Sequence, residues 1–416
     1  MYSQDGMGLG HLRRSSSIAG EVLRRDPTCE ILILADSPAA SLTATAHGMD
    51  FIKLPTVVKM GSESWKESAW NTFLLAGDMK RTIRLRTKLI LDAFEEFHPD
   101  AVLVDHMPVG ALGELKPLLE IAVRRRRPPR LYLGLRDILD TPGTIRRAWS
   151  ELGAYDYLCA YEKVLVYGVR ELHDSTAAYA LASGAREIVY CHYVTRPAQA
   201  VNRGRVRSEP YLLLTGGGGH DAFPVAKAFL GSISILSREL QMDAVVVTGP
   251  TMSPMHRDEL LKHAAPSVEI YNCVDGADTW IRDAEAVVTL GGYNSLCEVL
   301  AAGKKAVVIP RSGPSAEQIT RARLFAERGL LRTLDAAELS ASLLSANLLE
   351  LLADDSVPNK NNLPPLDGAA NAARLLLGAV PHASDDPNGA TRRKQLAGVF
   401  SGASSNGSRG SGDGSL

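Results

Sequence analysis

Residues able to do chemistry gather at three glycine-rich stretches of this chain. The first reads Asp5-Gly6-Met7-Gly8-Leu9-Gly10-His11-Leu12-Arg13-Arg14. Glycines at a strand-to-helix turn let backbone approach a ligand, and a helix N-terminus favours negative charge. His11 stands at the mouth of that helix. An imidazole that exchanges protons near pH 7 can take one from an acceptor hydroxyl there; the plainer alternative is that His11 caps or packs against the loop. The loop also invites a dinucleotide reading, which wants an acidic residue about 20 positions on, at the end of the second strand. Asp36 fits that place only loosely, and His11 argues against it.

The second stretch, Leu214-Thr215-Gly216-Gly217-Gly218-Gly219-His220-Asp221, again lies between a strand and a helix. Its consecutive glycines expose backbone N–H groups to an anion, at an entropic cost that a plain turn would not require. The third is Leu290-Gly291-Gly292-Tyr293-Asn294-Ser295-Leu296-Cys297-Glu298, followed after a strand by Pro310-Arg311-Ser312-Gly313 and then Glu317-Gln318. Glycine turns facing one cleft, with Ser295 and helix N-terminal amides available for phosphate oxygens, suit a diphosphate. Glu298, one turn into its helix, can accept both hydroxyls of a ribose, and Arg311 and Gln318 are within reach of phosphates or sugar. Each has an ordinary structural alternative: Glu298 as a complement to the helix dipole, Arg311 as a solvated charge, Glu317 and Gln318 as helix-start residues. Their joint occurrence at successive strand ends favours the ligand reading.

These stretches need elements to position them. From Leu12 onward helical patterns alternate with short β-branched runs, the mark of parallel sheets covered on both faces. Ser15, Ile18, Ala19, Val22 and Leu23 fall on one helical stripe. Strands are expected at 31–34, 101–104, 131–135, 164–167 and 188–190, and a helix at 79–97. The cycle restarts at 211–214 and repeats at 244–247, 268–271, 286–289 and 306–309. The result is two Rossmann-like, doubly wound α/β domains, 1–196 and 210–380, joined by a linker over 197–209. A helix near 369–377 is a candidate to pack back on the first domain, and the Gly/Ser-rich stretch 381–416 is expected to be disordered. Only four residues precede the first glycine loop, so the central first strand is either stunted or begins upstream. Asp105-His106 and Arg136-Asp137 end strands and should face the interdomain gap. Asp105, His106 and Asp137 therefore join His11 as candidate catalytic groups, with turn capping or buried ion pairing as their alternative. Specificity for the ligands on either side of the gap is expected to lie in loops such as 56–70.

Bulk properties narrow the partners. The 416 residues exceed one ordinary core. A net charge of -1 leaves no global field for nucleic acid. No apolar run reaches the roughly 18 to 20 residues that span a bilayer, and no signal peptide precedes the fold, so a cytoplasmic location is expected. The cysteines Cys29, Cys159, Cys191, Cys273 and Cys297 form no C-x-x-C pair, which indicates neither a disulfide framework nor a zinc site. The basic run Arg124, Arg125, Arg126 and Arg127 reads as a solvated loop sooner than as a lipid-headgroup site.

The pattern G-G-Y-N-S-L-C-E, then a strand, then P-R-x-x-P-x-x-E-Q, together with the N-terminal G-L-G-H-L-R-R, resembles the GT-B glycosyltransferases related to MurG, in particular a bacterial MurG-like group. The resemblance covers nearly the whole chain to about Leu377 and is weakest across the acceptor-facing half. It implies a nucleoside-diphosphate sugar as donor co-substrate, with no other cofactor and no metal. It implies Glu298 on the ribose, Gly216, Gly217, Gly218, Gly219, Gly291, Gly292, Asn294 and Ser295 around the diphosphate with Gly10 nearby, and Glu317 and Gln318 near the donor sugar. The expected reaction is inverting transfer to a hydroxyl or amine, with His11 as first choice of base. The acceptor, whether a small molecule, a glycan or a lipid-linked group, and the oligomeric state stay open. The rivals are a nucleotide-sugar hydrolase, a 2-epimerase of the same fold, which would want more carboxylates, and a non-catalytic nucleotide-sugar binder.

Overall fold

The computed structural model describes residues 1–6, 8–38, 47–59, 70–73, 75, 78–196, 205–237, 240, 242–313 and 315–378. The tail at 381–416, positions 60–69 of the expected specificity loop and most of the linker lie outside the described residues.

The first half runs β1 (Tyr2–Ser3), α1 (Gly10–Arg25), β2 (Ile31–Ala35), β3 (Met49–Lys53), β4 (Val57–Lys59), β5 (Trp70–Thr72), α2 (Met79–Phe97) and β6 (Ala101–Asp105). It continues with α3 (Lys116–Arg124), β7 (Arg130–Arg136), α4 (Pro142–Glu151), β8 (Lys163–Tyr167), α5 (Ser175–Ala178) and β9 (Ile188–Tyr190). Seven strands form one sheet in the order β3-β2-β1-β6-β7-β8-β9, and every pair in it is parallel. The central β6 and β7 are buried along nearly their whole length, as a sheet covered on both faces requires. The stripe read on α1 is buried: Ser15, Ile18, Ala19, Val22 and Leu23 all face inward. At about 1.5–3 kcal/mol for each fully buried large aliphatic side chain, such stripes dominate the stability of the layer.

The second half runs β10 (Tyr211–Thr215), α6 (Phe223–Leu236), β11 (Asp243–Val247), α7 (Pro254–His263), β12 (Val268–Tyr271), α8 (Ala277–Asp283) and β13 (Ala286–Thr289). It ends with α9 (Tyr293–Ala301), β14 (Lys305–Val308), α10 (Glu317–Ala326), β15 (Arg332–Thr333), α11 (Ala341–Ala353) and α12 (Gly368–Leu377). Its sheet has the order β12-β11-β10-β13-β14-β15, again all parallel. In each sheet the strand order reverses beside the first strand. The crevices are therefore at the carboxyl ends of β1 and β6, and of β10 and β13, where open α/β sheets place ligands.

β1 spans Tyr2–Ser3, and the Met1 amino group donates to Leu32 O at 2.6 Å. The antiparallel pair β4–β5 has only three residues in each strand and β3 is partly exposed along its length, so neither stands out in the sequence. Helix α12, the last described helix, packs on α1, and Tyr132 Oη donates to Leu375 O at 3.3 Å, so it lies against the first domain.

Candidate active site

At the first crevice, Asp36 at the end of β2 holds the glycine loop in place. Its Oδ1 accepts the amides of Asp5 (2.7 Å) and Gly6 (3.1 Å), and its Oδ2 is paired with the fully buried Arg86. Asp36 is thus spent on the fold, which removes the residue a dinucleotide reading needs. Asp5 does the rest: its two carboxylate oxygens accept the α1 amides of His11 (2.7 Å) and Leu12 (2.8 Å). The anion place at this helix N-terminus is filled by the chain itself. Burial, opposed by His11 and reinforced by Asp36, pushes the Asp5 carboxyl up to about 6.

His11 and Arg14, three residues apart on one face of α1, converge on Asp105 at the end of β6. His11 Nδ1 lies 2.6 Å from Asp105 Oδ2, and Arg14 reaches both carboxylate oxygens, at 3.1 and 2.5 Å. Arg14 Nη2 also stands 2.8 Å from His11 Nδ1. One nitrogen cannot donate to Asp105 and accept from Arg14 together; the carboxylate is the stronger partner, so Nδ1 carries the proton and Nε2 keeps the lone pair a base needs. Burial raises the Asp105 carboxyl, but Arg14 and His11 outweigh it and hold the group below its ordinary range. The sequence reading of Asp105 as an alternative base is therefore corrected: it is buried, saturated and ionised, and it orients His11.

His106 packs against His11 with ring centroids 4.6 Å apart and adopts a left-handed backbone, φ 73°. It is half-buried overall, but its Nδ1 is sealed away without a partner among the described residues. Burial, with His11, Arg136 and Arg14 close by, pushes its protonation well below the ordinary histidine range. It serves as a neutral wall for the His11 ring. Asp137 does not reach the cleft either. Both its oxygens accept from the buried Arg321 of α10, at 2.7 to 3.1 Å, and Oδ2 accepts from Tyr193 Oη at 3.0 Å. The expectation of a catalytic Asp137 is thus corrected: it is half of a buried ion pair that joins the domains.

The second crevice is built differently. Gly216 and Gly219 are required by the fold, since an added Cβ would meet Thr248 O at 2.4 and 2.8 Å. Gly217 and Gly218 face open space, with Ser295 Oγ and Thr251 Oγ1 about 4 Å from where a Cβ would stand. Gly291 turns the chain at φ 85°, and Gly292 is the N-cap of α9, with no side-chain cap. Asn294 Nδ2 donates to Gly10 O at 2.9 Å, which brings the start of α1 against the start of α9. His11 and the uncapped α9 therefore share one cleft.

The charged donor candidates all have partners in this structure. Glu298 accepts from Arg13 across the cleft, Arg136 Nη1 is 2.6 Å from Glu317 Oε2, and Arg311 Nη1 is 3.1 Å from Asp221. Gln318 Oε1 accepts the Arg311 amide at 3.2 Å and so shapes the β14–α10 turn. Tyr293, at the start of α9, receives the Val194 amide at 2.8 Å and lies under the guanidinium groups of Arg14 and Arg321, each 5.3 Å from its ring centre. The sequence reading passed over Asp5, Arg13, Arg14, Tyr293 and Arg321. Only Arg14 left a signal, its spacing from His11 in G-H-L-R-R. Among the described residues no group of three or more His, Cys, Asp or Glu is arranged to hold a metal ion. No helix among them is long and apolar enough to cross a membrane. A cavity of about 480 Å³ lies at the opposite, amino ends of the first sheet's strands, lined by apolar residues such as Ile31, Ala101, Leu118 and Leu376 together with Asp26, Glu30, His98 and Asp100; none of the residues of the two crevices lines it.

Residues 212–375 match the glycosyltransferase family 28 C-terminal domain. The chain is 20% identical over 366 residues to the UDP-N-acetylglucosamine--N-acetylmuramyl-(pentapeptide) pyrophosphoryl-undecaprenol N-acetylglucosamine transferase of Finegoldia magna, covering 86% of this chain and 91% of that one. Among solved structures, the glycotransferase of kitacinnamycin superposes with a TM-score of 0.61 at 18% identity, over 92% of this chain and 98% of the other. MurG of Acinetobacter baumannii superposes with a TM-score of 0.51 at 13% identity, over 96% and 98%. At these identities the structural likenesses carry the fold.

Proposed function

We propose, for a chain that is a MurG-like glycosyltransferase of the GT-B fold, that it moves a sugar from a nucleoside diphosphate to an acceptor hydroxyl or amine, with inversion and without a metal. The observation that carries this is the pairing of an Asp105-oriented His11 with an uncapped α9 N-terminus in one cleft. His11 Nε2 takes the acceptor proton as the acceptor atom bonds to the anomeric carbon. The bond from that carbon to the phosphate oxygen breaks, and the nucleoside diphosphate leaves with the electron pair. Amides at Gly217, Gly218 and the start of α9, with Ser295 and Arg311, receive the charge that develops on it. Attack from the face opposite the leaving group inverts the anomeric centre.

The Finegoldia magna relative is named for UDP-N-acetylglucosamine, which makes that nucleotide sugar the first donor to test. Its acceptor is named as a lipid-linked pyrophosphate, and a lipid-linked acceptor heads the candidates on this side as well. We place the reaction in the reducing cytoplasm, where five free cysteines are at home. The test is a thermal-shift panel of UDP-, dTDP- and GDP-sugars followed by turnover with wild type and His11→Ala. Selective stabilisation by one donor, with turnover that needs an acceptor and is lost in the variant while donor binding stays, supports the reading. Sugar release at the full rate without an acceptor identifies a hydrolase, and binding without turnover identifies a nucleotide-sugar binder.

A further inference from the structure

The carboxylate proposed for the ribose, Glu298, is occupied in this structure by an arginine of the opposite domain. Arg13 sits two residues from His11 on α1, and its guanidinium bonds Glu298 Oε1. A ribose whose hydroxyls both donate to Glu298 must displace it. Whether that exchange is affordable depends on burial. The Arg13 side chain is 32% exposed and Glu298 12%, whereas the Arg321–Asp137 pair is at 0% and 1%. A pair reached by solvent is screened and opens at little cost, whereas separating a buried pair leaves an uncompensated charge in the core. Arg321–Asp137 is therefore a fixed joint between the domains, and Arg13–Glu298 is an exchangeable contact.

The guanidinium, once released, can turn to the diphosphate proposed above. The start of α1 lies against the start of α9 through the Asn294–Gly10 bond, and an added Cβ on Gly217 would stand 4.0 Å from Ser295 Oγ. The proposed diphosphate site thus adjoins the end of α1 that carries Arg13. The geometry points to Arg13 as a donor-binding residue supplied across the cleft: it guards Glu298 until a ribose arrives, then turns to the pyrophosphate beside His11. This rests on the nucleotide-sugar reading above. It also gives that reading a consequence for order, because a donor that engages Arg13 holds the His11 loop against the second domain before the acceptor is attacked.

The exchange separates two ligands. A nucleoside competes with Arg13 for Glu298 and gains nothing from it, whereas a nucleoside diphosphate loses the same contact and gains a charge-assisted one. Titration calorimetry of wild type, Arg13→Ala and Arg13→Gln with uridine and UDP, or with the thymidine or guanosine pair if wild type selects that base, reads the difference. Both variants are expected to bind the diphosphate at least tenfold more weakly and the nucleoside equally or more tightly, with Arg13→Lys between them and wild type for the diphosphate. Equal loss for both ligands would make Arg13 a structural strut, and unchanged diphosphate affinity would leave it a bystander; either overturns the inference while the donor reading stands. Wild type that binds none of these diphosphates sinks the donor reading itself.

Discussion

Each domain faces the cleft with a strand, a glycine loop and a helix, β1 to α1 in the first and β13 to α9 in the second, yet the two treat the helix N-terminus in opposite ways. In the first domain Asp5 folds back to cap α1, its carboxylate taking the amides of His11 and Leu12. In the second, α9 starts at Gly292 with no side-chain cap. Helix termini attract anions through oriented amides and the peptide dipole, so an uncapped terminus in a cleft is open to an anion that a capped one already excludes. A glycine loop alone does not distinguish a base-carrying domain from a phosphate-carrying one. The occupant of the terminus does.

The largest effect expected from breaking this division is at His11. His11→Ala should lower kcat by roughly 10²–10⁴-fold with donor affinity intact, measured by steady-state turnover and calorimetry. An equal loss of donor affinity would put the anion site in the first domain. The fixed joint comes next: Arg321→Met leaves Asp137 buried and unpaired, with an expected cost of about 3–5 kcal/mol in denaturant unfolding. Gly292→Asp then sharpens the comparison by copying Asp5 onto α9. An added Cβ there meets nothing within 4 Å, so the cap should form. It should stabilise the fold by about 0.5–2 kcal/mol while a fixed negative charge expels the diphosphate, a gain in Tm with a loss of donor binding.

The smallest effect is the pH dependence around His106. Its folded-state protonation lies well below the ordinary range, so the unfolded chain binds the proton first. Stability from this group is full above about pH 6.5 and is lost as pH falls toward the folded value, at no more than about 1.4 kcal/mol per pH unit. Asp5 carries the opposite sign: with its carboxyl raised to about 6, its contribution falls as pH rises from the unfolded value through 6. His106→Asn, which tolerates the left-handed backbone, should flatten the acid side of the Tm profile. An unchanged profile would mean that His106 does not resist protonation.

What could be read ahead of the structure follows its physical range. β-branched runs such as Val102–Val104 and Val287–Val288 are local and mark parallel strands directly. Strand ends then place loops, which is why His11, Gly217, Ser295 and Glu298 could be named from the chain. Charge partners could not. Arg13 and Glu298 are separated by 285 positions, and Arg321 and Asp137 by 184, so only the docking of two domains decides which carboxylates are spent on structure. Asp137 and Asp105 looked alike at strand ends; one meets an arginine of the other domain, and the other meets a histidine beside the cleft. β3 and the β4–β5 pair escaped for a different reason: β3 is an edge strand without a fully buried residue, and β4 and β5 have three residues each, too few to show a period.

The central claim is that the phosphates go to the terminus the chain leaves uncapped. A crystal structure with the nucleoside diphosphate that most raises the Tm tests it most directly. The account predicts phosphate oxygens within hydrogen-bond distance of amides at Gly217 or Gly218 and at the start of α9, with Asp5 still bonded to His11 and Leu12. Phosphates seated in the Gly6–Gly10 loop, with Asp5 displaced from α1, would contradict it.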